Sequence, residues 1–167
     1  LAVKDASKTV PQYFLKYPMK ESGMRNTLKF EATTLMSKAN KTEKVRLTDI
    51  DRVLSCQTIE TMFAHKLVAP LDRYERHGSI AGRDIYDIHH FFLNGFSYDK
   101  DVIQDRRGVT TIEYLKKLRA FITSHITDTV INQDLNVLLS PDQFQKIRRI
   151  LKEETLAFLD DEIKRLS

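Results

Sequence analysis

The chain has 167 residues and a formal net charge of +4, with 41% hydrophobic and 30% charged residues. This composition is typical of a globular chain that buries its own apolar core, and we expect a single domain over residues 1–167. No stretch reaches the roughly 20 apolar residues of a membrane helix, and no signal-peptide core is present, which argues against membrane-spanning and secreted classes. The only cysteine is Cys56, which excludes an intrachain disulfide and favours a cytoplasmic location.

The positive charge is concentrated in the first third of the chain, within residues 1–52. A basic patch of this kind attracts phosphates or nucleic acid. Lysines on sheet edges and in turns produce the same composition, because charged edge residues keep strands from pairing with other chains. A nucleic-acid-binding module that uses Lys16, Lys20, Arg25 and Lys29 therefore stays open beside a solvated surface.

The first 54 residues have the pattern of β-strands. VPQYFLKYPM and TLKFEATTLM alternate between apolar and polar residues, and ESGMRN between them is a turn signal. KANKTEK is a polar turn, and VRLTDIDRVL is a weaker strand or a loop. We expect a small antiparallel sheet, formed as a hairpin or a meander.

The period changes to that of helices after residue 54. Thr58 is a suitable N-cap, and Gly78 is a suitable end for the first helix. Its apolar stripe is Ile59, Phe63, Leu67 and Leu71. Pro70 lies within this pattern, so we expect a kink or a break there. A second helix, RDIYDIHHFFLNG, is predicted to follow Gly82 and to end at Gly95.

The rest of the chain, from Thr110, is predicted to be helical. TTIEYLKKLRAFITSHI has helical spacing, and INQDLNVLL is a short helix or a loop. Ser140 is the predicted N-cap of one final helix, DQFQKIRRILKEETLAFLDDEIKRL. The buried residues of that helix are expected to be Phe144, Ile147, Ile150, Leu151, Phe158 and Leu159. The whole is an α+β fold, mainly β over 1–54 and mainly α over 55–167.

Several charged residues fall within the first two predicted helices. Lys66 and Arg73 lie on one face of the first helix, while Asp84 and Asp87 are neighbours on the second, with Arg83 one turn before Asp87. If the short connection HGSIAG folds the helices into an antiparallel pair, the cations face the aspartates across the seam. This arrangement fits a structural ion network, and it equally fits one half of a phosphate-handling site.

A family resemblance falls on these same residues. IETMFAHKLVAPLDR followed by GRDIYDIHHFF resembles the C-terminal half of the AbiEii/AbiGii-type nucleotidyltransferase toxins, over about residues 25–95. Their motifs are Lys-x-x-Ala-hydrophobic-x-x-Arg and Arg-Asp-x-x-Asp-hydrophobic. The positions that match are Lys66, Ala69, Arg73, Arg83, Asp84, Asp87 and Ile88. Pro70 departs from the pattern, since it stands where the family usually has an aliphatic residue.

The resemblance implies a polymerase-β-like fold and transfer of a nucleotide from an NTP, with Mg²⁺, to an acceptor, which is tRNA in some members. It also implies an RNA acceptor and a cognate antitoxin as partners. Asp84, Asp87 and Lys66 would be catalytic, with Lys66, Arg73 and Arg83 binding the substrate. Glu31, in the predicted strand segment LKFEAT, would be a metal ligand; an exposed strand glutamate is the alternative.

The family's main signature, a Gly-Ser turn followed by Arg-x-Ser-x-Asp-x-Asp, is not found in residues 1–50. We therefore expect the C-terminal portion of a longer protein or a natural remnant, and little catalysis by this chain alone. The alternative function is a non-catalytic binding or interaction domain, or the nucleic-acid-binding module above, in which the charged helices are scaffold. The two classes differ in whether Lys66 contacts a nucleotide.

Overall fold

The computed structural model describes residues 2–3, 12–18, 25–31 and 37–167. The chain divides into two compact units, Leu1–Met36 and Ser37–Ser167, and each is described by itself. The single domain over 1–167 stays a prediction.

The first unit contains a three-stranded antiparallel sheet in the order β1–β2–β3. The strands are β1 (Ala2–Val3), β2 (Gln12–Pro18) and β3 (Arg25–Glu31). In the β2–β3 register Tyr13 lies opposite Phe30, and Leu15 lies opposite Leu28. The predicted strand pair is confirmed, and the predicted ESGMRN turn lies largely outside the described residues.

The second unit begins with a two-stranded hairpin. Strands β4 (Thr42–Leu47) and β5 (Arg52–Gln57) pair antiparallel, with Val45 opposite Leu54. A 3-10 turn over Thr48–Ile50 joins them, and Asp51 takes a left-handed conformation at φ 45°. VRLTDIDRVL, predicted as a weak strand or a loop, thus contains the end of one strand, the turn and the start of the next.

Seven helices follow within the described residues, which confirms the α+β class. They are α1 (Ile59–His77), α2 (Gly82–Leu93), α3 (Lys100–Arg107), α4 (Thr111–His125), α5 (Asp128–Leu135), α6 (Pro141–Ile147) and α7 (Leu151–Leu166). Helix α3 is an addition to the predicted elements. In the described part of the chain, no helix combines the length and the apolar character needed to cross a bilayer.

The predicted helix ends of the α-helical half are confirmed. The Thr58 hydroxyl accepts the Thr61 backbone N–H at the start of α1, and Gly78 ends that helix with φ 60°. Ser140 and Gln143 form a reciprocal capping box at the start of α6, with Pro141 in the first turn. These ends depend on local hydrogen bonds alone, which is why they were readable from the sequence.

Of the kink or break predicted at Pro70, the break is wrong. Helix α1 runs from Ile59 to His77 through Pro70, whose side chain is buried. A proline inside a helix removes one backbone hydrogen bond, and this cost is offset when its ring packs in a core. The Tyr114 hydroxyl of α4 also donates to the Leu67 carbonyl oxygen at 3.0 Å, one turn before the proline. Because the helix is continuous, Lys66 and Arg73 keep their common face.

The single final helix was also wrong, since it is divided at residues 148–150 into α6 and α7. The Ile150 N–H donates to the Ile147 carbonyl, a bond three residues back instead of four, which tightens the turn there. The break turns Leu151 and Leu159 of α7 into the core at 0% exposure. Ile150, predicted to be buried, is 41% exposed as a consequence.

The core of the second unit lies among the helices. It is formed by apolar side chains at 0% exposure, among them Phe63, Leu67, Ile85, Ile88, Ile103, Tyr114, Leu115, Leu118, Ile122, Ile131, Leu135, Leu151 and Leu159. Gly82 allows α2 to approach α5 closely, since a Cβ there would lie 2.8 Å from the Val130 carbonyl oxygen. This contact sets the position of the first turn of α2, which carries Arg83 and Asp84.

Candidate functional site

The candidate site is the seam between α1 and α2. The four residues 78–81 reverse the chain, so that the two helices form a hairpin. Lys66 then faces Asp87, and Arg73 faces Asp84, as the spacing predicted. Both pairs cross from one helix to the other, and the two pairs differ in burial and in the number of their hydrogen bonds.

The inner pair, Arg73–Asp84, is buried and bidentate. Arg73 Nε donates to Asp84 Oδ2 at 2.7 Å, and Nη2 donates to Oδ1 at 3.1 Å. The Asp84 side chain is 7% exposed. The hydrogen bonds that Arg73 donates to Asp84 are the main reason why the pKa of the guanidinium is raised, and Asp134 on α5 adds a smaller attraction. This geometry orients Arg73 toward α2 and commits its Nε and one Nη2 donor to Asp84.

The outer pair, Lys66–Asp87, is largely solvent-accessible. Lys66 Nζ lies 2.5 Å from Asp87 Oδ2, with the two side chains 46% and 34% exposed. A single hydrogen bond between such exposed groups contributes little to folding stability. Both groups can therefore exchange this contact for a bound ligand at low cost.

Arg83 is the third cation of the site. Its side chain is exposed and makes no hydrogen bond or ion pair with any described residue. Spacing places it one turn before Asp87, but the Asp87 carboxylate contacts Lys66 instead. A cation in the first turn of a helix is also unfavourable, because the N-terminal end of the helix dipole is positive. Local stability therefore gives no reason for an arginine at this position.

Helix α2 is anchored on a further side by His89. Its side chain is 3% exposed, and Nε2 lies 2.6 Å from Glu154 Oε2 on α7. Together with the Gly82 contact to α5, this bond holds both ends of α2. Sequence patterns could not indicate it, because 65 residues separate the two partners.

An ion network between α1 and α3 was missed entirely. Asp72 accepts from Arg106 and from Arg107, whose Nη1 lies 2.5 Å from Asp72 Oδ1. Arg107 also donates to Glu75 at 2.6 Å. Asp72 adjoins Arg73 in the sequence but lies on the side of α1 that faces α3. The signal was the four charged residues of LDRYER, for which no third helix was predicted as a partner.

His65 connects that network to the segment before β4. Arg106 Nη1 lies 2.8 Å from His65 Nδ1, and His65 Nε2 lies 2.7 Å from Asn40 Oδ1. An arginine can only donate, so Nδ1 accepts and Nε2–H donates, which defines a neutral imidazole. Burial is the main cause, and the Arg106 charge the second, of a lowered His65 pKa.

The described residues do not fit a Mg²⁺ site at the seam. The Asp84 and Asp87 carboxylates each have a cationic partner, and no three His, Cys, Asp or Glu residues of the described segments are close enough together to hold a metal. Glu31 lies in β3 of the first unit, and its side chain is outside the described residues. The structure thus brings together Asp84, Asp87, Lys66, Arg73 and Arg83 at the seam. The role of Glu31 as a metal ligand stays a prediction.

Comparison with known proteins identifies a family that includes these residues. The family model described as "Nucleotidyl transferase AbiEii toxin, Type IV TA system" matches residues 2–162, well beyond the 25–95 that the motifs cover. No curated protein and no solved structure matches the chain. Because the match includes both units and nearly the whole length, the chain belongs to the AbiEii nucleotidyl transferase toxin family.

Proposed function

We propose that this chain contributes the triphosphate-binding side of a nucleotidyltransferase that moves a nucleotide from an NTP to an acceptor. Its family is one of nucleotidyltransferase-type toxins. Nucleotidyl transfer, like phosphoryl transfer, depends on positioning and on cations that neutralise the phosphate charge. The observation that carries the proposal is the exposed guanidinium of Arg83, which has no partner among the described residues, together with the exposed Lys66–Asp87 pair.

The seam residues divide into two roles in this proposal. Lys66 and Arg83 bind phosphate oxygens, because both ammonium and guanidinium groups are accessible from solvent. When Lys66 turns to the phosphate, the Asp87 carboxylate is released and can accept a proton from the acceptor hydroxyl. Asp84 and Arg73 are positioning residues, since the buried bidentate pair holds α2 against α1.

The metal, the partners and the location are proposed from the family of the chain. Nucleotidyltransferases generally use a divalent metal, and Mg²⁺ would need carboxylates beyond the described side chains, with Glu31 a candidate. The membership in a type IV toxin–antitoxin family supports an antitoxin partner. An RNA acceptor and a cytoplasmic location are proposed with them.

The test is a calorimetric titration of the chain with ATP, GTP, CTP and UTP. We expect Lys66→Ala and Arg83→Ala each to weaken NTP binding by about tenfold, the effect of losing one charge-assisted hydrogen bond of about 1.5 kcal/mol. Lys117→Ala is the matched control, because Lys117 is also an exposed lysine in an ion pair, with Glu113 on α4. Equal affinities for all four proteins would show that the seam does not bind the triphosphate.

A second function, an interaction domain with the seam as scaffold, is supported by the buried Arg73–Asp84 pair. The two proposals predict different effects of replacing Asp87, whose side chain is 34% exposed. A scaffold predicts that Asp87→Ala lowers the melting temperature, because Lys66 loses its partner. A functional carboxylate predicts a neutral or slightly raised melting temperature, as replacement of active-site charges often stabilises a fold.

A further inference from the structure

The outward face of α2 carries more than the charged motif. Residues at helical spacing along one side of α2 are Arg83, Tyr86, Asp87, His90 and Asn94, opposite the buried Ile85, Ile88 and His89. The charged residues Arg83 and Asp87 lie in the first half of this face, and the aromatic Tyr86 and His90 continue it. The face therefore joins a phosphate-binding end to an aromatic end.

The two aromatic rings are stacked on each other. The Tyr86 and His90 ring centroids are 6.5 Å apart, and their planes differ by 22°. Tyr86 is half-buried, whereas His90 is exposed. Asn94 Nδ2 lies 3.4 Å from His90 Nδ1 and donates to the His90 carbonyl oxygen at 2.7 Å, which restricts the imidazole from the next turn. The pair is an aromatic surface that is partly exposed to solvent.

The pair lies between the core and the solvent, since Tyr86 is half-buried and His90 is exposed. The core contacts of α2 are made by Ile85, Ile88 and His89, and the aromatic cluster around Phe63 uses Phe91 and Phe92. Tyr86 also packs against the edge of this core, and the His90 ring lies 6.2 Å from the Phe91 ring, so the pair continues the aromatic cluster out to the surface. Rings at a surface are a common platform for nucleobases, since every base has a π-face that stacks on an aromatic side chain.

We propose that the Tyr86–His90 pair stacks the base of the nucleotide whose phosphates contact Arg83 and Lys66. This inference rests on the proposed function, because the phosphate contacts place the nucleotide on α2. Arg83 stands one turn before Tyr86, and Asp87 lies beside it on the same arc, so that one nucleotide spans both groups. Stacking is tolerant of base identity, and the pair favours purines over pyrimidines because their rings offer more area.

The test separates the base from the phosphates. Wild-type chain and its variants are titrated with ATP, with CTP and with inorganic tripolyphosphate, which has the phosphates but no base. Tyr86→Ala is expected to weaken ATP binding by about tenfold, the typical loss of one aromatic–base stack, and to leave tripolyphosphate binding unchanged. Tyr86→Phe keeps the ring and should bind ATP as wild type does.

Two further variants keep the test decisive. Tyr74→Ala is the matched control, because Tyr74 also contacts a histidine ring, His125, at 4.8 Å, but on the α4 side of α1. It should leave ATP affinity unchanged. Tyr86→Trp introduces the only tryptophan of the chain, whose fluorescence should be quenched by ATP and unaffected by tripolyphosphate. This variant also covers the case in which Tyr86→Ala fails to fold.

The outcomes distinguish this inference from the proposed function. If tripolyphosphate and ATP bind equally, or if Tyr86→Ala and the wild type bind ATP equally, the stacking site is wrong and the phosphate site stands. If neither ligand binds the wild type, the proposed function fails and the stacking site fails with it. Loss of ATP binding alone in Tyr86→Ala, with quenching in Tyr86→Trp, supports the site.

Discussion

The two ends of the α1–α2 seam use the same chemistry, a basic side chain on α1 and an aspartate on α2, in different surroundings. At the inner end Asp84 is 7% exposed and receives two hydrogen bonds from Arg73. At the outer end Asp87 is 34% exposed and receives one hydrogen bond from Lys66. The inner pair can only break at the cost of a buried charge, whereas the outer pair exchanges readily with water or a ligand.

The largest expected effect is at the inner end. Asp84→Ala should lower the free energy of unfolding by about 3 kcal/mol, because it leaves the Arg73 guanidinium without its buried partner. Urea unfolding followed by circular dichroism measures this change. Asp161→Ala, an exposed aspartate 3.6 Å from Lys164 on α7, is the control and should be near neutral. A loss below about 1 kcal/mol for Asp84→Ala would contradict a buried pair.

The next effect concerns the contact that positions the inner end. Gly82→Ala should destabilise the chain by about 2 kcal/mol, since the new Cβ would meet backbone atoms of α5 within 3 Å and force the helices apart. The same denaturation assay measures it. An unchanged midpoint would mean that α2 and α5 do not pack this closely.

A smaller effect is expected at the outer end. Asp87→Ala should change the free energy of unfolding by less than about 1 kcal/mol, because the Lys66–Asp87 pair is exposed to solvent. A loss as large as that of Asp84→Ala would remove the contrast between the two ends and favour the scaffold function. Measured in the same assay, Asp84→Ala and Asp87→Ala show how much more the inner pair contributes to the free energy of unfolding than the outer pair does.

The smallest effect extends the comparison to the opposite side of α1, where His65 faces α3. Its pKa is lowered from 6.5, so the folded state binds fewer protons than the unfolded chain as the pH falls below 6.5. Its contribution to stability is therefore complete above pH 6.5 and is lost as the pH falls toward the lowered pKa. His65→Gln should reduce the slope of unfolding free energy against pH in that range. An unchanged slope would mean that His65 is not held neutral.

Much of the fold and of the seam was accessible from local patterns. Thr58, Gly78 and Ser140 mark helix ends because their hydrogen bonds lie within one turn. The seam pairs followed from helical spacing and a short connection. The continuity of α1 through Pro70 and the break between α6 and α7 were inaccessible, because each depends on packing against distant residues.

The sequence by itself determined the α+β order of elements, the motif residues and their family, since spacing and capping are local properties. Only the tertiary structure decided which of the three cations is available to bind a ligand. Arg73, Lys66 and Arg83 are equivalent cations in the sequence, yet one is held by a buried carboxylate, one by an exposed carboxylate, and one by no described residue. That difference comes from the close packing of α2 on α1, α5 and α7, which sets how far each side chain is removed from water.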